Sequence, residues 1–102
     1  MNLNFKISEK IYNETYIWFL PKVLLMEIKT KVKKFLKNKT ENEIKEIIKH
    51  PDLTDEERWL IYYTYAKDRM VLNTCAKLSI SEGTYFNIRN QALIKLYYIL
   101  KL

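Results

Sequence analysis

The sequence predicts an all-α protein, a small bundle of four or five helices ending in a helix-turn-helix. Three observations predict it. The 102 residues include one glycine and two prolines, too few turn-formers for repeated hairpins or a sandwich. Beyond Pro21, apolar residues recur at spacings of three and four, the period of one helix face. Arg69–Leu96, RMVLNTCAKLSISEGTYFNIRNQALIKL, reads as a helix, a tight turn at Leu78-Ser79-Ile80, and a second helix capped by Ser81.

The chain is short enough for one domain, and its 48% hydrophobic residues suffice for a modest core. It divides into residues 1–51, a helical supporting or partner-binding region, and residues 52–102, the helix-turn-helix region. The first 20 residues are the least legible. NFKIS alternates like a strand, and TYIWFL is rich in β-formers, so a short hairpin is one reading. The other is a helix beginning after Ser8, with Ile11, Tyr12, Tyr16 and Phe19 on one side. A lone hairpin would have no sheet to join, which favours the helix.

Pro21 suits the first turn of a helix. Leu24, Ile28, Val32, Phe35 and Leu36 then form one apolar stripe over roughly 21–37. The other face carries Lys29, Lys31, Lys33, Lys34, Lys37 and Lys39, six lysines in eleven residues. They could hold phosphates or simply be solvated. Thr40-Glu41-Asn42-Glu43 is a capping box, which opens a short helix with Ile44, Ile47 and Ile48 inside. His50-Pro51 ends that helix. Thr54-Asp55-Glu56-Glu57 is a second capping box, with acids where the helix dipole favours them. The helix it opens carries Trp59, Leu60, Tyr63 and Ala66 at helical spacing and reaches about Lys67. Tyrosines 62, 63 and 65 surround it; they could stack on bases, and the favoured reading is core and rim residues with their hydroxyls at the surface.

The helix-turn-helix can be checked position by position. Its first helix needs a small residue where the second crosses, and Cys75 stands there. Four residues on, the turn commonly uses Gly, and here the slot holds Ser79, a departure. Six residues further, Tyr85 takes the inward apolar position, followed by Ile88, Ala92 and Leu96. Leu78 and Ile80 plug the turn, and Ser81 supplies the N-cap.

That geometry selects a contact surface. The face opposite the buried row shows Glu82, Gly83, Thr84, Asn87, Asn90 and Gln91, with Phe86 and Arg89 to the sides. Asn and Gln pair bidentately with adenine, Arg with guanine, and Thr contacts the thymine methyl. Ser81 and the free N–H groups of the first turn suit a phosphate. Gly83 either lets a phosphate or base approach closely or tolerates a crowded turn. The net charge of +6 permits a polyanionic partner. Double-stranded DNA is therefore the expected ligand, with Lys29, Lys33, Lys34, Lys37 and Arg89 on phosphates and Glu82–Asn90 on base edges.

Other classes find little support. There is no phosphate-binding Gly loop, no Cys/His metal spacing, and no second histidine beside His50 for a catalytic triad. Glu56 and Glu57 are adjacent and point to different sides of a helix. Neither catalysis, a metal nor a cofactor is expected. The single cysteine, Cys75, cannot form an internal disulfide, which suggests a cytoplasmic protein. The N-terminus has no signal-peptide pattern. Tyr16–Met26, the longest apolar stretch, is broken by Pro21 and Lys22 and falls short of the roughly 20 residues that span a bilayer.

The run LTDEERWLIYYTYAKDR, the turn LSIS and TYFNIRNQALIKLYYIL together resemble region 4 of bacterial sigma factors. There an acid-rich helix start, a helix-turn-helix and a final Ala-Leu-x-Lys-Leu segment occur in the same order, and Ala92-Leu93-Ile94-Lys95-Leu96 matches the last. Ile80-Ser81-Glu82, Thr84-Tyr85-Phe86 and Ala92-Leu93 are similar to the signature of ArpU-type phage transcriptional regulators, although Asn87 replaces their usual Arg. The resemblance covers roughly residues 52–97. It implies transcription regulation at promoter-like DNA in a phage or mobile element, with an RNA polymerase contact. A regulator would be expected to dimerise, and the apolar segment 97–102 could form the seam. Two rival roles remain. One is another DNA-handling task on a mobile element, as a terminase small subunit or a transfer-origin accessory protein. The other is a protein-binding inhibitor module.

Overall fold

The computed structural model of the chain describes residues 22–102. Five α-helices follow one another through short connections: α1 (Lys22–Lys37), α2 (Glu41–Ile47), α3 (Asp55–Ile61), α4 (Val71–Leu78) and α5 (Glu82–Ile99). A π-helical turn, Tyr62–Ala66, continues α3. The described residues contain no strand, and the fold is all-α. Whether residues 1–20 form a helix or a hairpin lies outside the described residues, as does the placement of Pro21.

Helix α1 buries Ile28, Val32 and Leu36, three of its five expected stripe positions. Phe35 is half-buried, whereas Leu24 is exposed. Both capping boxes form. The Thr40 N–H donates to Glu43 Oε1 at 2.9 Å, and the Glu43 N–H donates back to Thr40 Oγ1 at 3.2 Å. Thr54 and Glu57 repeat the exchange at 2.8 and 3.2 Å. Each box satisfies helix-start donors that would otherwise lack partners. Between α2 and α3, His50 Nδ1 accepts the Asp52 N–H at 3.1 Å. Arg58 then fastens this loop, donating to the carbonyls of Ile48, His50 and Leu53 and to the Asp55 carboxylate.

Helix α3 turns a different row inward from the one its spacing suggested. Glu57, Leu60 and Ile61 are buried, while Trp59 is 46% exposed. Tyr63 and Ala66 are only half-buried, because the π turn widens the helix there and shifts the residues around its axis. One product of that shift reaches the core. Thr64 Oγ1 lies 3.0 Å from the hydroxyl of the buried Tyr85.

Helix α5 is the centre of the molecule, packed against α1, α3 and α4. Five consecutive residues, Ala92 to Leu96, are buried, so its middle has no solvent face. Each fully buried Leu or Ile contributes about 1.5–3 kcal/mol. Lys95 is among the five, and its ammonium donates to Glu57 Oε1 at 2.7 Å and to the Asp52 carbonyl at 3.0 Å. Tyr97, Ile99, Leu100 and Leu102 lie partly buried against the protein's own core, so the segment expected as a dimer seam is already engaged. No described helix is long and apolar enough to cross a membrane.

Candidate nucleic-acid interface

The turn between α4 and α5 is built by backbone hydrogen bonds. The Ile80 N–H donates to the Cys75 carbonyl at 3.0 Å and the Ser79 N–H to the Ala76 carbonyl at 3.4 Å. This six-to-one and five-to-two pair is a Schellman motif. It requires a left-handed residue at its centre, and Ser79 adopts φ 58° and ψ 46°. The serine thus takes the role for which glycine is the usual choice. Cys75 is buried beneath the turn with Ile80 partly covering the core, and burial raises the Cys75 thiol above its usual range.

Helix α5 begins where the turn ends. The Ser81 hydroxyl accepts the Thr84 N–H at 3.2 Å and sits 3.0 Å from Thr84 Oγ1. Tyr85, 1% exposed, anchors the first turn in the core. That anchor leaves Ser81, Glu82, Gly83, Thr84 and Asn87 exposed on the outside. Gly83 is not crowded: an added β-carbon would meet only Ser81 Oγ, at 4.0 Å. The crowded-turn explanation of this glycine is therefore overturned, and nothing inside the described fold requires it.

The rest of the expected contact face differs. Arg89, Asn90 and Gln91 are half-buried rather than open. Arg89 Nε and Asn90 Oδ1 are covered and find no hydrogen-bond partner among the described residues. The reason is the central position of α5. A one-faced helix would keep an exposed row along its whole length, but beyond Ile88 this helix enters the bundle and loses it. The open surface is confined to its first two turns.

Arg89 joins a second set of groups. Its guanidinium lies 4.9 Å from the Phe86 ring centroid, within cation–π range. The Lys33 ammonium is held below its usual value by burial and then by the like charges of Arg89, Lys29 and Lys37. Burial pushes the Tyr65 hydroxyl up to about 12 against the opposing charge of Arg89. Lys33, which stands between Lys29 and Lys37 at spacings of four on α1, thus feels the charge of Arg89 on α5. Lys29 and Lys33 are half-buried, and Lys34 and Lys37 are exposed. Lys34 is absent from the charges that act on Lys33. Through Lys33, the cationic face of one helix meets Arg89, which follows the exposed start of another. Such a surface can neutralise successive phosphates while polar side chains beside it meet base edges.

Residues 9–97 match a protein family described as of unknown function, DUF1492. The chain belongs to the DUF1492 family. The matched span takes in α1, the turn and nearly all of α5, so the candidate interface lies within what the family shares. No curated protein matches the chain, and no solved structure does.

Sequence reasoning missed a buried ion pair between α3 and α5. Glu57 was legible only as a capping residue, and Lys95 only as part of the Ala-Leu-x-Lys-Leu run. The two residues that meet are 38 positions apart in sequence. A lysine inside an otherwise apolar pentapeptide was the available signal that a buried partner existed.

Proposed function

We propose that this protein binds double-stranded DNA in a sequence-specific manner through α4, its turn and the first two turns of α5. We assign it to transcription regulation in a phage or mobile element. Ser81, Glu82, Gly83, Thr84 and Asn87 face the base edges. Lys29, Lys33, Lys37 and Arg89 hold phosphates on one flank, and Lys34 adds charge beside them. Asn90 and Gln91 act from the edge of this surface. The observation that carries the reading is the open start of α5, anchored from beneath by Tyr85 and adjoining the cation row.

The arrangement divides labour as DNA binders do. Asn87 has the paired donor and acceptor that match adenine, and Thr84 can meet a thymine methyl. The cations contribute affinity without regard to sequence. Glu82 suits a cytosine amine. A regulator of this size would act as a homodimer on paired half-sites, with a seam other than segment 97–102, and a contact with RNA polymerase would follow from its resemblance to sigma region 4. A cytoplasmic location fits that role.

Selection of bound fragments from genomic DNA tests the proposal. The native chain should enrich one motif, and Asn87→Ala should relax preference at one position at a cost of about 1–3 kcal/mol. A chain that enriches no motif, or an Asn87→Ala variant with unchanged preference, refutes the base-reading assignment.

A further inference from the structure

A second surface, formed by α3, the π turn and the outer side of α4, uses none of the residues assigned above to base edges or phosphates. Trp59, Tyr62 and Tyr63 pack against one another at centroid distances of 5.4–6.2 Å. Trp59 nevertheless remains 46% exposed, and Met70 and Leu72 at the start of α4 are 74% and 64% exposed. Cations flank the rings. Lys67 lies 5.7 Å from the Tyr62 centroid, while Arg69 and Lys77 lie 5.5 and 5.8 Å from that of Tyr63.

The two tyrosines differ in one respect. Beside Tyr62, the Glu41 carboxylate neutralises Lys67 at 2.8 Å. Beside Tyr63, neither Arg69 nor Lys77 has a carboxylate within ion-pair distance among the described residues. Among the described residues the rings therefore hold two cations with no carboxylate partner, next to an exposed tryptophan. Trp, Tyr and Arg are the residues that carry most binding energy at protein interfaces.

We propose that this surface docks an acidic segment of another protein. Its carboxylates pair with Arg69 and Lys77, and an apolar side chain beside them covers Trp59. Charge complementarity selects an acidic occupant. A single-stranded nucleic acid is disfavoured because stacking needs open ring faces, and Tyr63 already has two cations and the Tyr62 ring against it.

The test selects peptides from a random library on the immobilised full chain. Their affinities are then measured by fluorescence anisotropy for the chain, for Trp59→Ala and for the double variant Arg69→Glu/Lys77→Glu. The expected peptides are rich in Asp and Glu around an aliphatic or aromatic residue, and each variant weakens them about tenfold or more. All three altered residues are exposed, and circular dichroism checks that each variant keeps its fold. Should Trp59→Ala unfold, the charge-reversal variant carries the test alone. Enrichment of neutral or basic peptides, or equal affinity for a folded variant, overturns the proposal. So does an oligothymidine or a second copy of the chain whose binding depends on Trp59 while the peptides' binding does not.

Discussion

Ser79 occupies a left-handed backbone position, φ 58°, that a β-carbon disfavours by about 1–2 kcal/mol. Glycine relieves that cost but loses more freedom on folding. Ser79→Gly should therefore stabilise the chain by about 0.5–1 kcal/mol, raising Tm by several degrees. A lower Tm would show that the serine side chain makes an interaction worth more than the strain. Gly83 presents the opposite case. Its helical site has open space for a β-carbon, so Gly83→Ala should hold or slightly raise Tm while weakening DNA binding. Equal affinity of the two proteins for the selected DNA would remove Gly83 from the contact surface. Both residues were visible in the sequence as turn and helix-start signals. What could not be read was which one the backbone needs. Dihedral strain belongs to Ser79, and the glycine's neighbours are solvent.

At the scale of elements, the helix starts were the most legible part of the chain. The Thr40 and Thr54 boxes depend on residues three apart, so local chemistry decides them. Glu57 shows where local reasoning ends. Its Oε1 accepts from the Thr54 backbone and also from Lys95 Nζ on α5. Side-chain exposures of 2% and 7% put both charges out of water. Removing one partner of such a pair costs about 3–5 kcal/mol, because the other charge stays buried alone. Glu57→Ala and Lys95→Ala should each lower unfolding stability by that amount in urea titrations. Glu57→Gln paired with Lys95→Met should recover a large part of it. If the single variants cost no more than breaking a surface pair, below about 1 kcal/mol, the ion pair does not form in solution. The rotation of α3 that brings Glu57 to Lys95 also buries Leu60 and Ile61 and leaves Trp59 outside.

For the whole molecule, the docking of α1 beside α5 brings Lys33 of the lysine face within reach of the Arg89 charge. DNA affinity should consequently fall by orders of magnitude between about 50 and 200 mM salt. Replacing Lys33 and Lys37 with Ala should weaken all sequences about equally and lower the salt slope by about one for each phosphate left without its cation. A slope unchanged by the Lys33/Lys37 pair of substitutions would separate the α1 face from the DNA surface. The lysine stripe itself was readable from spacing. Its neighbour was not, because Lys33 and Arg89 stand more than fifty positions apart in sequence.

The order of residues was enough to determine the helical class, both capping boxes, the tight turn after Leu78 and the exposed first turn of α5. These follow from interactions spanning three or four positions, or from the period of one helix. Only the tertiary structure decided that α5 is buried on every side from Ala92 to Leu96, that Lys95 is buried against Glu57, and that the open start of α5 is two turns long. A helix surrounded by partners obeys no single amphipathic face. Its exposed residues are set by where neighbouring helices end, and that boundary is a property of packing.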